Sequence, residues 1–213
     1  MPESVHELME RATALLVKMD YAASERLSLE ALALCRAAED WTTYARVVMP
    51  LQEARRQRRL NACDAGVMIG GLDAAPGPGQ AGVWIAEGVT RGQAAEVDQA
   101  ARDRGDAVEV LWVARQDRAS WTIASFNGLQ VSVDLSAPEF SSGSAHESAS
   151  GAVLPDAAWY LMASEALGDA VIAGCTEPLG SVERVFALAE RLPTVLDHEK
   201  LHRALAEAAR RAV

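Results

Sequence analysis

Cysteine is scarce in this sequence and never occurs in a metal-binding pattern. The 213 residues include three cysteines, Cys35, Cys63 and Cys175, which lie far apart. No pair has the C-x-x-C spacing of a zinc ribbon, and an odd number of distant cysteines does not predict a disulfide framework. We therefore expect three reduced, mostly buried thiols that take no part in chemistry.

Basic residues and long apolar runs are also in short supply. Twenty Lys and Arg residues stand against 30 Asp and Glu residues, which gives a formal net charge of −10. Nucleic-acid binding needs a basic face that neutralises phosphates, so this composition argues against it. The longest apolar runs, such as Val108–Ala114, fall well short of the ~20 residues that cross a bilayer. With acidic residues from Glu3 onward and no signal-peptide pattern, we expect a cytoplasmic protein without a membrane partner.

The pattern of the sequence changes near residue 62. No glycine precedes Gly66, and apolar residues recur at helical spacing through the first 60 residues. We expect three helices there, the second over about 21–38 and the third over about 41–59. Because Pro50 lies inside the third helix, we expect a kink or a break near Met49. We therefore predict a helical domain over 1–62 and an α/β domain over 63–213, with a Ser- and Gly-rich loop at 136–155.

The second part of the sequence predicts a small mixed sheet covered by C-terminal helices. Apolar runs at 66–71, 83–86 and 108–113 indicate strands, and a capping box at Thr90 opens a helix between the last two. A strand, a helix and a strand within about 30 residues predict a βαβ unit with parallel strands. Asn127-Gly128, between extended runs, predicts an edge hairpin with a type I′ turn. The predicted fold class is mixed α/β.

The segment from Asp20 to Leu32 resembles the second helix of a tetratricopeptide repeat. The matching residues are the opening acidic–aromatic pair, a small residue three positions later and an Ala-Leu pair, namely Asp20-Tyr21, Ser24 and Ala31-Leu32. The sequence departs from the repeat at Met19, Ser28 and Arg36, where Gly, an aromatic residue and Pro are usual. A second pair, Asp40-Trp41, follows after 20 residues rather than the ~34 of the family.

This resemblance covers at most residues 5–60 and implies a helical surface that binds a protein partner, without catalysis. The alternative is a three-helix segment that packs like any pair of antiparallel helices. The candidate interaction residues are the aromatics of the two pairs and the arginines that follow: Tyr21, Trp41, Arg55, Arg56 and Arg59. The partner is not identified, and a second copy of the chain is one candidate.

The arginine cluster at 55–59 is the one basic cluster of this acidic chain. Arginines in the last turns of a helix stabilise its dipole, which favours a solvated helix end. Contact with an acidic partner is the second interpretation.

One short motif points to an enzyme instead. His198, Glu199 and His202 match H-E-x-x-H, in which two imidazoles one helical turn apart bind zinc and the glutamate acts as general base. Lys200 and Arg203 are unusual flanks for such a site, and Asp197 is a helix-cap candidate that would leave the histidines on a solvated flank. The leading hypothesis is a non-catalytic interaction or scaffold protein without a cofactor; the alternative is a zinc-dependent hydrolase.

Overall fold

The structure, a computed structural model, describes residues 3–115, 120–136 and 155–212. The helices of this part are α1 (Val5–Val17), α2 (Tyr21–Ala37), α3 (Trp41–Ala65), α4 (Arg91–Arg104), α5 (Ala157–Ala173), α6 (Val182–Arg191) and α7 (Glu199–Arg211). The strands are β1 (Val67–Gly70), β2 (Gly82–Glu87), β3 (Val108–Arg115), β4 (Ser120–Ala124) and β5 (Ser132–Ser136). The predicted mixed α/β class is confirmed. The predicted Ser- and Gly-rich loop lies, apart from its end residues, outside the described residues.

None of the helices in these described ranges combines the length and the apolar character that crossing a membrane requires.

The chain forms two compact units, and of the C-terminal helices α5 lies mostly in the sheet unit, whereas α6 and α7 belong to the helical unit rather than covering the sheet. The helical unit contains Met1–Leu60 and Val171–Val213, and the sheet unit contains Asn61–Ala170. The first boundary lies close to the predicted one at residue 62. The C-terminal stretch joins the N-terminal helices because its side chains pack there: the Phe186 ring lies edge-on to Trp41, with ring centres 5.5 Å apart.

The first two turns of the helical unit have the same backbone structure. Met19 ends α1 with a φ of 60°, and Glu39 ends α2 with a φ of 54°. In each turn the next residue, Asp20 or Asp40, donates its backbone N–H to a carbonyl five residues earlier, as in a Schellman motif. The same aspartate then caps the following helix by accepting a hydrogen bond from a backbone N–H three residues later.

Ser24 lies where α1 and α2 approach each other closely. Its side chain is fully buried, and its hydroxyl donates a hydrogen bond of 2.9 Å to the carbonyl of Ala12 on α1. A larger side chain at this position would separate the two helices. The small residue that the repeat resemblance requires is therefore packed between the helices.

Helix α3 continues through Pro50 and ends at Ala65, six residues beyond the predicted end. A proline inside a helix costs about 3 kcal/mol because it removes one hydrogen bond and crowds the preceding turn. The neighbouring side chains Val47, Val48, Leu51 and Ala54 are all fully buried, and this burial offsets the cost. Of the two predicted alternatives, a kink or a break, the break does not occur, and the arginines at 55–59 lie inside the helix rather than at its end.

The sheet has the order β1-β2-β3-β4-β5. The pairs β1–β2 and β2–β3 are parallel, while β3–β4 and β4–β5 are antiparallel. Helix α4 begins with the predicted capping box between Thr90 and Gln93 and ends at Gly105, which has a φ of 79°. The βαβ unit and the antiparallel hairpin at the sheet edge are confirmed.

Helices of the sheet unit pack on both faces of the sheet. On one face, Ala94 of α4 packs with Trp84, and the Trp112 indole donates a hydrogen bond of 2.8 Å to the carbonyl of Val89. On the opposite face, Trp121 contacts Trp159 of α5 edge-to-face, with ring centres 5.0 Å apart. The tryptophans therefore hold the layers together, as predicted from the apolar patterns.

The hairpin connection is longer than the predicted two-residue turn. Pairing stops at Ala124 and Ser132, and the intervening loop is closed by the Ser125 hydroxyl, which accepts a hydrogen bond of 2.9 Å from the Val131 N–H. Gly128 has a φ of 63°, but Asn127 has no positive φ, so the predicted type I′ turn is wrong. The Asn127 amide instead donates a hydrogen bond of 3.1 Å to the buried carboxylate of Asp98, a tertiary contact that overrides the local preference.

We predict that Gly128→Val destabilises the protein by about 1–2 kcal/mol, because a β-branched residue resists the left-handed conformation. Gly128→Asn is the control, since asparagine tolerates this conformation. Urea unfolding of the two variants and the parent chain measures the difference. Equal midpoints for Gly128→Val and the parent chain would contradict the observed turn.

We further predict that Met19→Gly and Glu39→Gly each stabilise the protein by about 0.5–1 kcal/mol. Glycine relieves a left-handed conformation that costs other residues about 1–2 kcal/mol, and its greater freedom in the unfolded chain offsets part of this gain. Ala33→Gly, at an exposed position inside α2, is the matched control and should destabilise by about 1 kcal/mol. Thermal unfolding of all three variants tests both the predicted gains and the predicted loss of stability. A loss of stability in Met19→Gly would refute the interpretation that the left-handed conformation of Met19 is strained.

Candidate functional site

The most unusual feature of the helical unit is a buried cluster of charged residues, which we call the arginine network. Its members are Glu25 on α2, Arg55, Arg58 and Arg59 on α3, Asp197 before α7, and His202 on α7. Charged residues are almost never fully buried unless they are paired. The cluster therefore defines the candidate site.

Glu25 is the centre of the network because it binds two arginines. Its carboxylate accepts a hydrogen bond of 2.7 Å from Nε of Arg55 and another of 2.7 Å from a terminal nitrogen of Arg58. All three residues are 4–7% exposed. Both oxygens of one buried carboxylate therefore link α2 to α3.

The same arginines bind the chain at the start of α7. Arg55 donates a hydrogen bond of 3.1 Å to the carbonyl of Leu196, and Nε of Arg59 lies 2.6 Å from Oδ2 of Asp197. Asp197 is therefore an ion-pair partner of α3 and not the predicted helix cap. His198 takes that position, and its Nδ1 accepts a hydrogen bond of 3.2 Å from the Leu201 N–H.

His202 uses both ring nitrogens inside the network. Its Nε2 lies 3.3 Å from a guanidinium nitrogen of Arg55, and its Nδ1 lies 2.9 Å from the carbonyl of His198. Arginine can only donate, so Nε2 accepts, and Nδ1 carries the proton and donates. Burial, together with the positive charge of Arg55, lowers the pKa of His202 to about 3. His202 is therefore a neutral structural residue at physiological pH.

The structure does not bring the H-E-x-x-H residues together in the way that zinc chemistry needs. His198 and His202 are fully buried, so the predicted solvated flank is wrong. The accepting nitrogen of each imidazole is bound to a donor, Leu201 in one case and Arg55 in the other. Glu199 is exposed and faces Arg203 at 3.9 Å. Nothing in this arrangement favours Glu199 as a general base beside two zinc ligands.

The predicted interaction residues do not form one exposed surface. Trp41 is buried against Phe186, Arg55 is 4% exposed, and the Arg59 side chain is 12% exposed. Tyr21 is half-buried. Arg56 alone of the five is exposed, and it pairs with Glu53 at 3.1 Å. In this conformation Trp41, Arg55 and Arg59 serve the interior of the helical unit and are not available to a partner.

Burial keeps two of the three cysteines in the thiol form. The three cysteines, all within the described ranges, form no disulfide. Burial raises the pKa of Cys35 to about 11 and also raises the pKa of Cys175. Both residues are therefore protonated at neutral pH, and a thiol is a poor nucleophile.

Sequence reasoning missed Glu25, the residue on which the network depends. A usable signal was present, because Glu25, Ser28 and Leu32 share one face of α2 and all three are buried. A glutamate on the apolar face of a helix indicates a buried partner of opposite charge. The partners are Arg55 and Arg58, which lie 30 and 33 residues further along the chain, and no local pattern around Glu25 identifies them.

A second feature of the helical unit is an apolar surface patch at the turn between α1 and α2. Val17 is 81% exposed and Met19 is 71% exposed, the two largest values among the exposed large apolar side chains of the described residues. We call these two residues the turn patch. The patch lies outside the arginine network and was not predicted from the sequence.

Comparison with known proteins adds no relative: no family model, curated protein or solved structure matches this chain.

We predict that Glu25→Gln destabilises the protein by about 3–5 kcal/mol, because the change leaves two buried arginines without their shared counter-charge. Glu53→Gln is the matched control: it removes the same charge from an ion pair whose side chains are 42–48% exposed, and should cost less than about 1 kcal/mol. Urea unfolding at neutral pH compares the variants. Similar losses from both substitutions would mean that the arginine network does not stabilise the helical unit.

Proposed function

We propose that this protein is a non-catalytic interaction module that binds a protein partner through the turn patch of its helical unit. The observation that carries the proposal is the exposure of two large apolar side chains, Val17 and Met19, at one tight turn. Single exposed apolar residues are common on protein surfaces, but two that are more than 70% exposed at the same turn are a candidate contact site.

The backbone at Met19 supports the same proposal. Met19 has a φ of 60°, a conformation that glycine adopts at much lower cost. Strained residues of this kind occur often at binding sites, where a side chain is needed despite its cost. Glu39 has the same conformation in the second turn but presents a charged side chain. The methionine therefore adds an apolar contact that the turn itself does not require.

The charge of the helical unit favours a partner that binds by apolar contact. Its two segments contain 15 acidic and 15 basic residues, whereas the sheet unit contains 15 acidic and five basic residues. The sheet unit thus accounts for the whole net charge of −10. A neutral unit has no net electrostatic attraction for a strongly charged partner, which favours apolar contact, and the turn patch holds its two most exposed large apolar side chains.

Chemical crosslinking of the full chain in its native cells, followed by affinity purification, tests the proposal with three forms of the protein. They are the parent chain, the double variant Val17→Ser/Met19→Gly and the control Leu129→Ser. Met19→Gly is compatible with the turn, so the double variant should remain folded. Leu129 is a 42% exposed apolar residue of the sheet unit. Light scattering of each purified form shows whether the partner is a second copy of the chain.

The proposal predicts one discrete complex with the parent chain and with Leu129→Ser, and at least a tenfold loss of that complex with the double variant. Removing two apolar contacts from a small interface has an effect of this size. The same yield of complex with all three forms, or no complex with any of them, would contradict the turn patch as the binding surface.

A further inference from the structure

The start of α7 is attached to α3 mainly through the side chains of two arginines. Arg55 binds the Leu196 carbonyl and Nε2 of His202, while Arg59 binds Asp197. Both contacts of Arg55 to this region need an acceptor. The Leu196 carbonyl is always an acceptor, whereas His202 is one only while its imidazole is neutral.

The groups around His202 make protonation of its imidazole unfavourable. Within the helical unit, the charged and titratable groups that act on His202 are Arg55 on α3, Glu25 on α2 and His198 at the start of α7. Glu25 is already shared between Arg55 and Arg58. The guanidinium of Arg55 lies 3.3 Å from Nε2 of the fully buried imidazole, so a proton on Nε2 would place two positive charges in direct contact.

We propose that the contact between His202 and Arg55 is an acid-sensitive clasp, and that protonation of His202 releases the start of α7 from α3. An added proton on Nε2 would point at the guanidinium of Arg55, so the hydrogen bond would be replaced by contact between two cations. Local opening at the start of α7 separates the two charges and gives the protonated imidazole access to water.

The direction of the pH effect follows from linkage. The pKa of His202 is about 3 in the closed state, whereas an exposed histidine has a pKa of about 6.5. Between these values the open state binds one more proton than the closed state, so opening becomes more favourable as the pH falls. The opening constant of α7 should rise about 25-fold between pH 7 and pH 5. The clasp is fully effective above pH 6.5 and weakens progressively below it.

Hydrogen–deuterium exchange of the full chain at pH 7 and pH 5, corrected for the intrinsic exchange rate, tests the clasp. Peptides from α7 are compared with peptides from α4 of the sheet unit. His202→Gln removes the titration but keeps one acceptor and one donor for Arg55 and the His198 carbonyl. His6→Gln is the control, since its side chain is 79% exposed and lies on α1.

The proposal expects the 25-fold rise in α7 opening in the parent chain and in His6→Gln, with no comparable change in α4, and a nearly pH-independent α7 in His202→Gln. Equal α7 protection at both pH values in the parent chain would overturn it, as would an equal rise in His202→Gln. A proton NMR titration of the parent chain adds a readout that needs no variant: His202 titrating near pH 6.5 while α7 stays protected would also overturn the clasp.

Discussion

The buried pairing of Glu25 with Arg55 and Arg58 is the interaction on which the helical unit depends. Removing two guanidinium groups and a carboxylate from water is expensive, and only close, complete pairing compensates the cost. The pairing therefore fixes the positions of α2 and α3 relative to each other, and the remaining donors of Arg55 fix the start of α7. The same demand for acceptors explains the chemistry of the H-E-x-x-H motif. His202 is held as an acceptor for arginine, and this use of its lone pair competes directly with metal binding.

The first two turns of the helical unit share one backbone conformation but present different side chains at the left-handed position. Both place a residue other than glycine in the left-handed region and then use an aspartate to begin the next helix. In the second turn this residue is a glutamate, whereas in the first it is a methionine that adds to an exposed apolar surface. The sheet unit differs in character, because its described arginines are used in ion pairs or over tryptophan rings and its acidic residues remain in excess.

Prediction from the sequence succeeded where a signal is confined to a few neighbouring residues. The capping box at Thr90 is present, and the parallel β2–β3 pair and the edge hairpin form where expected. It failed where a distant contact outweighed a local preference. Pro50 does not break α3 because the side chains around it are buried, and Asn127 does not adopt a positive φ because its amide binds Asp98. The tetratricopeptide resemblance of the first 60 residues stays a prediction, since the shared turn geometry is a local property.

The sequence by itself determined the local elements of this protein: helix starts at capping residues, alternating strands and the glycine that turns the hairpin. These depend on interactions within about four residues, which a pattern can carry. Only the tertiary structure decided the role of the arginine cluster and of the two C-terminal histidines. Their partners lie 30 to 147 residues away. A sequence pattern predicts an exposed position for a charged side chain, and only the tertiary fold shows that the side chain is buried. Burial placed Arg55 and Arg58, which the sequence predicted at a solvated helix end, inside the helical unit, and it brought His202 of the H-E-x-x-H motif into contact with Arg55.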